Sequence, residues 1–431
     1  MNSDSMAVED TLSRALRPAA VDFSRLSRDH GPMLQIVRLL IGVVPNCDPI
    51  LAIWPTGFRT YNLLVPNLLN LPFSVWGFGP PAVTLGLALC AASRTAQCAY
   101  CTAHTCSFTL RRGSNPERLA GDLTAAEKAA VSVAEALASI PCTITADHRA
   151  ELLRHFSAAS AERIVLGIAM MGFLNKFMDA VGVDLEEAAV HEVSQVLRPI
   201  GWTPGKHRVD TTQPVDRSLQ ARPGGRDTLL TKLAILRYVP AALRLDRSWT
   251  RGVPSRWPEV GAFLKATTGH DFPLLAKVRS RRAVRAIATV LRDNLTAAGS
   301  RLGLRVKALA GLVYASVVGS ETLAREARAL AARTSPPVAE ETLEAVVRFA
   351  MEPVELSADF SESGLNGLDD LNGEAALALL LAKAVSPSPA TLPAPLIARV
   401  SERLSPEAQV ELVVWIAVQQ MLHRLGSFVD G

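Results

Sequence analysis

Two cysteines of this 431-residue chain have the spacing of a redox pair. Cys98 and Cys101 lie three residues apart in the segment QCAYCTAHTC, which starts at residue 97. On a helix, residues three apart share a face, and two thiols there can form a disulfide. At a helix N-terminus, unpaired N–H groups and the helix dipole lower the pKa of the first cysteine. The pair is therefore a candidate redox centre.

A thiolate in such a pair can reduce a peroxide. It attacks the O–O bond and becomes a sulfenic acid, and the neighbouring thiol then condenses with it to a disulfide. A reductant restores the dithiol by thiol–disulfide exchange. His104 follows Cys101 by one helical turn and could exchange the thiol proton near neutral pH. The candidate catalytic residues are therefore Cys98, Cys101 and His104.

A zinc site is the competing interpretation of this cluster, because Cys106 and His104 add further ligand types. Four ligands on two turns of one helix cannot easily surround a tetrahedral ion, and no second CxxC or His pair follows. We therefore expect no metal and no other bound cofactor. Cys47, Cys90, Cys106 and Cys142 are interpreted as packing residues.

The surrounding pattern predicts an all-α fold. Ala, Leu, Arg and Glu dominate segments in which apolar residues recur every three or four positions. The clearest are 124–138, 160–181, 304–332 and 405–425. Helix-start signals support two of them, namely Thr124 with Glu127 at capping-box spacing and Ser405 before Pro406. No alternation is long enough to form a sheet.

The chain also repeats itself. Placing 124–182 above 372–430 without gaps aligns Ala-rich and apolar positions, and Lys176 meets Arg424. Further upstream an offset of 222 aligns 85–110 with 307–332. Cys98 and Cys101 then fall on Ser320 and Leu323. The second copy therefore lacks the thiol pair, and the acidic, Pro-containing stretch 335–371 holds a 26-residue insertion (248 − 222).

We predict two tandem helical domains at 22–200 and 229–431. The polar, Pro- and Gly-containing stretch 201–228 is predicted to be a linker, and 353–373 a second loop.

Composition excludes several classes of protein. Hydrophobic residues make up 49%, which excludes a mainly disordered chain, and the net charge of +4 gives no reason to expect nucleic acid as a partner. The N-terminus lacks the apolar stretch of a secretory signal, and charged residues, Asn and Pro interrupt most apolar stretches. We expect a soluble, cytoplasmic protein that does not bind a membrane.

The first half resembles the AhpD-like (carboxymuconolactone decarboxylase) family of helical peroxidases, over about 80–200. The resembling stretches are CAYCTAHT with the following LRRG at 110–113, LTAAEKAA at 123–130, and RHFS at 154–157 leading to GFLNKF at 172–177. The resemblance implies a CxxC redox centre and a downstream His in a proton relay. It also implies that Cys101 reacts with the peroxide and that Cys98 resolves the product.

Two positions depart from the family pattern. The commoner place for the relay His is held by Thr105, one residue after His104. The place of the relay Glu is held by Gly86, and by Ala308 in the second half. No acid occurs between Asp48 and Glu117. Either an acid comes from another part of the fold, or proton transfer relies on water and His104.

These observations predict an enzyme, an oxidoreductase that reduces hydroperoxides with electrons from a dithiol protein or small thiol. As the resemblance implies, it would assemble into a homo-oligomer. Two alternatives remain open. One is a non-catalytic binding or interaction protein with a vestigial thiol site. The other is a non-redox enzyme like the carboxymuconolactone decarboxylases, although the CxxC pair counts against it.

Overall fold

The computed structural model describes residues 11–209, 225–352, 371 and 373–430, and in these residues the fold is all-α, without a β-strand. The helices are α1 Leu12–Leu16, α2 Phe23–Ile41, α3 Cys47–Leu51, α4 Pro55–Leu68, α5 Ala82–Thr95, α6 Ala99–Arg111, α7 Pro116–Ala120, α8 Ala125–Ala138, α9 Ala146–His155, α10 Ala158–Val181, α11 Glu187–Leu197, α12 Leu229–Trp249, α13 Glu259–Thr268, α14 Arg281–Leu295, α15 Gly303–Val318, α16 Glu321–Ala331, α17 Glu340–Met351, α18 Gly373–Val385, α19 Ala394–Arg403 and α20 Pro406–Asp430. Short 3₁₀ helices occur at Arg17–Ala19, Phe73–Trp76, Arg198–Ile200 and Pro273–Lys277.

Three of the four strongest helix predictions are confirmed, as α8, α10 and α20. The capping box of α8 forms, since Thr124 accepts a hydrogen bond from the backbone of Glu127 and the carboxylate of Glu127 accepts one in return. Helix α20 begins at Pro406, and the hydroxyl of Ser405 accepts from the N–H of Ala408 at 3.2 Å.

A single helix over 304–332 is wrong. The segment divides into α15 and α16 at Gly319, whose φ of +68° is left-handed and suits glycine. Ser320 then caps α16. The first half breaks at the equivalent place, between α5 and α6, where Gln97 has a φ of +54°. Cys98 therefore lies at a helix start and not within a continuous helix.

Helix bounds recur at the offset found in the sequence. Helix α9 shifted by 248 residues coincides with α19, and α8 and α10 shifted likewise match α18 and α20 within a residue. Buried side chains from both halves nevertheless form one continuous core. The division into two domains stays a prediction. Residues 210–224 of the predicted linker and 353–370 of the predicted loop lie outside the described residues.

Helices α10 and α20 pack together more extensively than any other helix pair in the described chain. A Cβ at Gly172 would lie 3.0 Å from the carbonyl oxygen of Gln420, so glycine lets the two helices approach closely. Both helices are long and apolar enough to cross a membrane. However, 94% of the most apolar window of α10 and 83% of that of α20 are buried, as in the core helices of soluble proteins. The cytoplasmic location stays a prediction.

Candidate functional site

Cys98 is the N-cap residue of α6. Its Sγ accepts a hydrogen bond from the backbone N–H of Cys101 at 3.4 Å, the place that a Ser or Asp side chain takes in most caps. Both thiols are free and buried, Cys98 completely so. The cap holds the first sulfur next to the first turn of the helix, where Cys101 also lies, so the structure brings the predicted pair together.

The two thiols differ strongly in acidity. Burial opposes ionisation of Cys98, but hydrogen bonds from Cys101 and His207 and the charge of His207 outweigh it and lower the pKa of Cys98 to about 6. Burial, together with the neighbouring sulfur of Cys98, raises the pKa of Cys101 well above its ordinary value. At neutral pH the pair therefore holds one proton, on Cys101, and one thiolate, on Cys98.

His207 is a functional residue that the sequence analysis missed, because it falls in the stretch predicted to be a linker. The side chain is buried, and its Nδ1 lies 2.7 Å from the carbonyl oxygen of Val183. Its Nε2 has no other hydrogen-bond partner among the described residues, which leaves it to face the thiolate of Cys98, whose pKa it lowers. The indole of Trp202 anchors the segment by donating to the carbonyl of Ala99 at 3.1 Å.

Charged side chains of α10 form the layer behind Cys98. Lys206 pairs with Asp179 at 2.8 Å. Burial, opposed by Asp179 and reinforced by Arg424, lowers the pKa of Lys176 to about 7. The ammonium of Lys176 donates to the carbonyl oxygens of Ser386 at 2.7 Å and of Pro387 at 2.5 Å.

Backbone of the second half thus completes the surroundings of the thiols. Residues 386–388 provide hydrogen-bond acceptors for Lys176. The backbone N–H of Ala390 donates to the carboxylate of Asp179 at 2.5 Å.

His104 does not hydrogen-bond either thiol. Its Nε2 pairs with Glu186 at 2.9 Å, and its Nδ1 lies 2.9 Å from the carbonyl oxygen of Tyr100. Burial would lower the pKa of His104, but the charge and hydrogen bond of Glu186 outweigh it and raise the pKa. Burial would raise the pKa of Glu186, but His104 and the donors Asn46 and Tyr100 lower it. The two form a buried ion pair.

Glu186 is the acid near His104 that the sequence analysis could not identify. A glutamate cannot occupy position 86, since a Cβ on Gly86 would come within 2.5 Å of the hydroxyl of Thr109. The carboxylate of Glu186 instead arrives from the residue before α11 and also accepts from the phenol of Tyr100 at 2.8 Å. An acid from another part of the fold therefore takes the place beside His104.

An apolar cavity of about 90 Å³ lies against this cluster. Cys101 and His104 line it on one side, and Met170, Met171 and Met178 of α10 line it on the other. Cys98 does not line it. Met side chains are flexible and adapt to varied apolar ligands. A molecule in the cavity would meet Cys101 first, with the thiolate of Cys98 behind it.

His207 can be tested as the source of the low Cys98 pKa. With a pKa of about 6, Cys98 is roughly nine-tenths thiolate at pH 7. In His207→Ala the favourable hydrogen bond and charge are lost while burial remains, so the thiolate midpoint should rise by about one unit or more. Ultraviolet thiolate absorbance measures the midpoint. His155→Ala on α9, which pairs with Glu151 away from the thiols, should leave it unchanged.

No protein-family model matches the sequence, and neither does any curated protein. Among solved structures, the apo debrominase Bmp8 aligns at 22% identity over 41% of this chain and 96% of its own, with a TM-score of 0.37. A variant of the same debrominase in complex with 2,3,4-tribromopyrrole aligns at 20% identity over 45% and 100%, also with a TM-score of 0.37. Similarity at this level assigns neither a family nor an activity to the chain.

Proposed function

We propose that the protein is a thiol-dependent peroxidase that reduces hydroperoxides through Cys101 and Cys98. One observation carries the proposal. A thiol that lines an apolar cavity, Cys101, adjoins a buried thiolate, Cys98, whose pKa is lowered to about 6. This arrangement offers both a group that meets a substrate and a nucleophile that can close a disulfide.

The reaction balances with these two sulfurs and one reductant. Cys101 first passes its proton to the thiolate of Cys98. The Cys101 thiolate then attacks the terminal oxygen of R–O–OH, the O–O bond breaks, and Cys–S–OH and an alkoxide form. The alkoxide takes the proton that Cys98 received and leaves as an alcohol, so Cys98 is again a thiolate. It attacks the sulfenic sulfur, the S–O bond breaks, and the hydroxide leaves as water after taking a proton from solvent. An external dithiol then reduces the Cys98–Cys101 disulfide by exchange.

The charged imidazole of His207 stabilises the thiolate form of Cys98, which attacks in the second step. His104 has a different part. Its Nδ1 contacts the carbonyl of Tyr100, and its Nε2 forms an ion pair with Glu186, so the pair places charge at the wall of an apolar cavity. The charged imidazolium can stabilise the negative charge that develops on the leaving oxygen.

The cavity favours an organic hydroperoxide over hydrogen peroxide, because apolar side chains dominate its lining. Electrons come from a dithiol protein or small thiol. We also propose that the protein forms a homo-oligomer. Three exposed leucines at the start of α12 provide an apolar surface for contact between subunits, namely Leu229, Leu230 and Leu233.

A non-catalytic binding protein is the second candidate. The observation that favours it is the depth of the thiols, since Cys98 is fully buried and Cys101 is 3% exposed. In that case the cavity would hold a ligand and the sulfurs would serve only packing.

Thiol titration before and after one equivalent of cumene hydroperoxide tests the proposal. We expect two of the six thiols to disappear and to return on treatment with dithiothreitol. Hydrogen peroxide should act more slowly, because the apolar cavity gives it little binding energy. Six unchanged thiols after either oxidant would reject the peroxidase and leave the binding protein.

A further inference from the structure

A second cavity, of about 380 Å³, is lined mostly by residues of the second half, with Pro141, Cys142 and Ile144 from the first. Ser320 and Leu323 line it at the start of α16, at the positions that align with Cys98 and Cys101. Ser320 caps its helix as Cys98 does, accepting from the backbone N–H of Leu323 at 3.4 Å. One turn later Glu326 takes the position of His104, since 326 − 104 equals the same offset of 222. The cavity therefore has a carboxyl group where the first half has an imidazole, and a hydroxyl and a leucine where it has thiols.

Glu326 is only 9% exposed, and among the described residues it makes no hydrogen bond or ion pair. A buried carboxylate without a partner is unfavourable. Burial and the charge of Asp430 raise the pKa of Glu326 to about 7. Asp430, at the end of α20, also lines the cavity and pairs with Lys277 at 2.7 Å. The cavity thus has an acid that a positively charged ligand would satisfy.

His423 supplies a second, independent polar group. It lines the same cavity, is 6% exposed, and its Nε2 has no hydrogen-bond partner within the described ranges. Burial and the charge of Arg424 lower the pKa of His423 to about 4, so the ring is neutral at physiological pH. A neutral imidazole has one nitrogen that accepts a hydrogen bond.

We propose that this cavity binds a small organic cation of the primary alkylammonium class. Its N–H groups would donate to Glu326 and His423, and its alkyl chain would contact Leu274 and Leu422. An anion would be repelled by the carboxylates of Glu326 and Asp430, which line the cavity. A metal ion is disfavoured, because in the described parts of the chain no three metal-binding side chains are grouped. The proposal does not depend on the peroxidase function.

Binding requires the ionised form of Glu326, so affinity should fall as pH decreases through about 7. The other charged groups that act on Glu326 are Asp430 and Asp271, which disfavour its ionisation, and Arg325, which favours it. An alkylammonium keeps its charge over this range. The ionised fraction of Glu326 changes about tenfold between about pH 6 and about pH 8, and affinity should change by the same factor.

Isothermal titration of the full chain with n-butylamine, and with n-butanol as the neutral counterpart, tests the site. We expect n-butylamine alone to bind, about tenfold more tightly at pH 8 than at pH 6. Glu326→Gln should weaken it tenfold or more and remove the pH dependence, since a charged acceptor is lost. Glu344→Gln on α17, an exposed site with the same charge change, should bind like the wild type.

His423→Phe is a second variant, which removes the imidazole acceptor while Glu326 stays in place, and it should also weaken binding of n-butylamine. Circular dichroism and thermal unfolding establish that each variant is folded. Failure of n-butylamine to bind the wild type at pH 8, equal affinity in Glu326→Gln, or equal binding of n-butanol would overturn the proposal.

Discussion

Replacing Cys101 with serine should abolish hydroperoxide reduction, lowering the rate roughly a thousandfold or more, because Cys98, the other sulfur of the pair, does not line the cavity. Replacing Cys98 with serine should abolish turnover as well, but by a different route. Cys101 can still be oxidised there, because the charge of Cys98 that raises its pKa is absent and solvent takes its proton, and its sulfenic acid persists because the resolving sulfur is gone. Steady-state assays with cumene hydroperoxide and a dithiol measure both losses.

A sulfenic-acid trap such as dimedone distinguishes the two variants. Mass spectrometry should find the adduct on Cys101 in Cys98→Ser and no adduct on Cys98 in Cys101→Ser. Cys142→Ser is the matched control, since Cys142 lines the second cavity and not the one that Cys101 lines. If Cys142→Ser loses activity as the other two do, or if Cys101→Ser retains it, the assignment of the pair is wrong.

Replacing Glu186 with glutamine should lower the free energy of unfolding by about 3–5 kcal/mol, because it leaves the buried His104 without its charged partner. In the wild type the pKa of Glu186 is lowered by folding. Its carboxylate therefore stabilises the folded state fully above pH 4.5, its ordinary pKa, and this stabilisation is lost as pH falls through the pKa of the folded state. The pKa of His104 is raised by folding. Its imidazolium therefore stabilises the folded state fully below pH 6.5, its ordinary pKa, and this stabilisation is lost as pH rises through the pKa of the folded state. Both contributions are complete between about pH 4.5 and 6.5.

The loss in Glu186→Gln should therefore be largest in that window and smaller outside it, as urea unfolding at several pH values measures. Glu151→Gln is the matched control, since Glu151 pairs with Arg154 and His155 on the exposed face of α9. Its cost should stay below about 1 kcal/mol. Equal costs for the two variants at all pH values would show that the His104–Glu186 pair does not contribute as a buried ion pair.

Local features were predictable from the sequence. They depend on contacts within one helical turn, which the spacing of residues determines. Examples are the capping box of Thr124 and Glu127, the helix start at Pro406, and the adjacency of Cys98 and Cys101. The break at Gly319 was missed although its signal was present. A Gly followed by Ser and Glu is a typical helix stop and start, and the apolar periodicity across it obscured this.

The tertiary partners were not predictable in the same way. Glu186 reaches His104 across 82 residues of sequence (186 − 104), and no spacing rule connects them. His207 was hidden by composition, since its segment is polar and contains Pro and Gly. Trp202 was the available signal, because a large aromatic residue in a polar segment indicates that the segment packs against something.

The contacts from 386–390 to Lys176 and Asp179 bear on how this chain can evolve. Under the predicted duplication, the second copy lost its thiols and yet supplies acceptors to a buried ammonium and a donor to a buried carboxylate of the first. Deleting the second half would remove the acceptors of Lys176 at 386–388 and the backbone donor of Asp179, which would keep only its pairing with Lys206, and we expect this to be destabilising. The half without thiols thus contributes to the stability of the thiol-bearing half, and we expect selection to act against a shortened gene that keeps only the CxxC half.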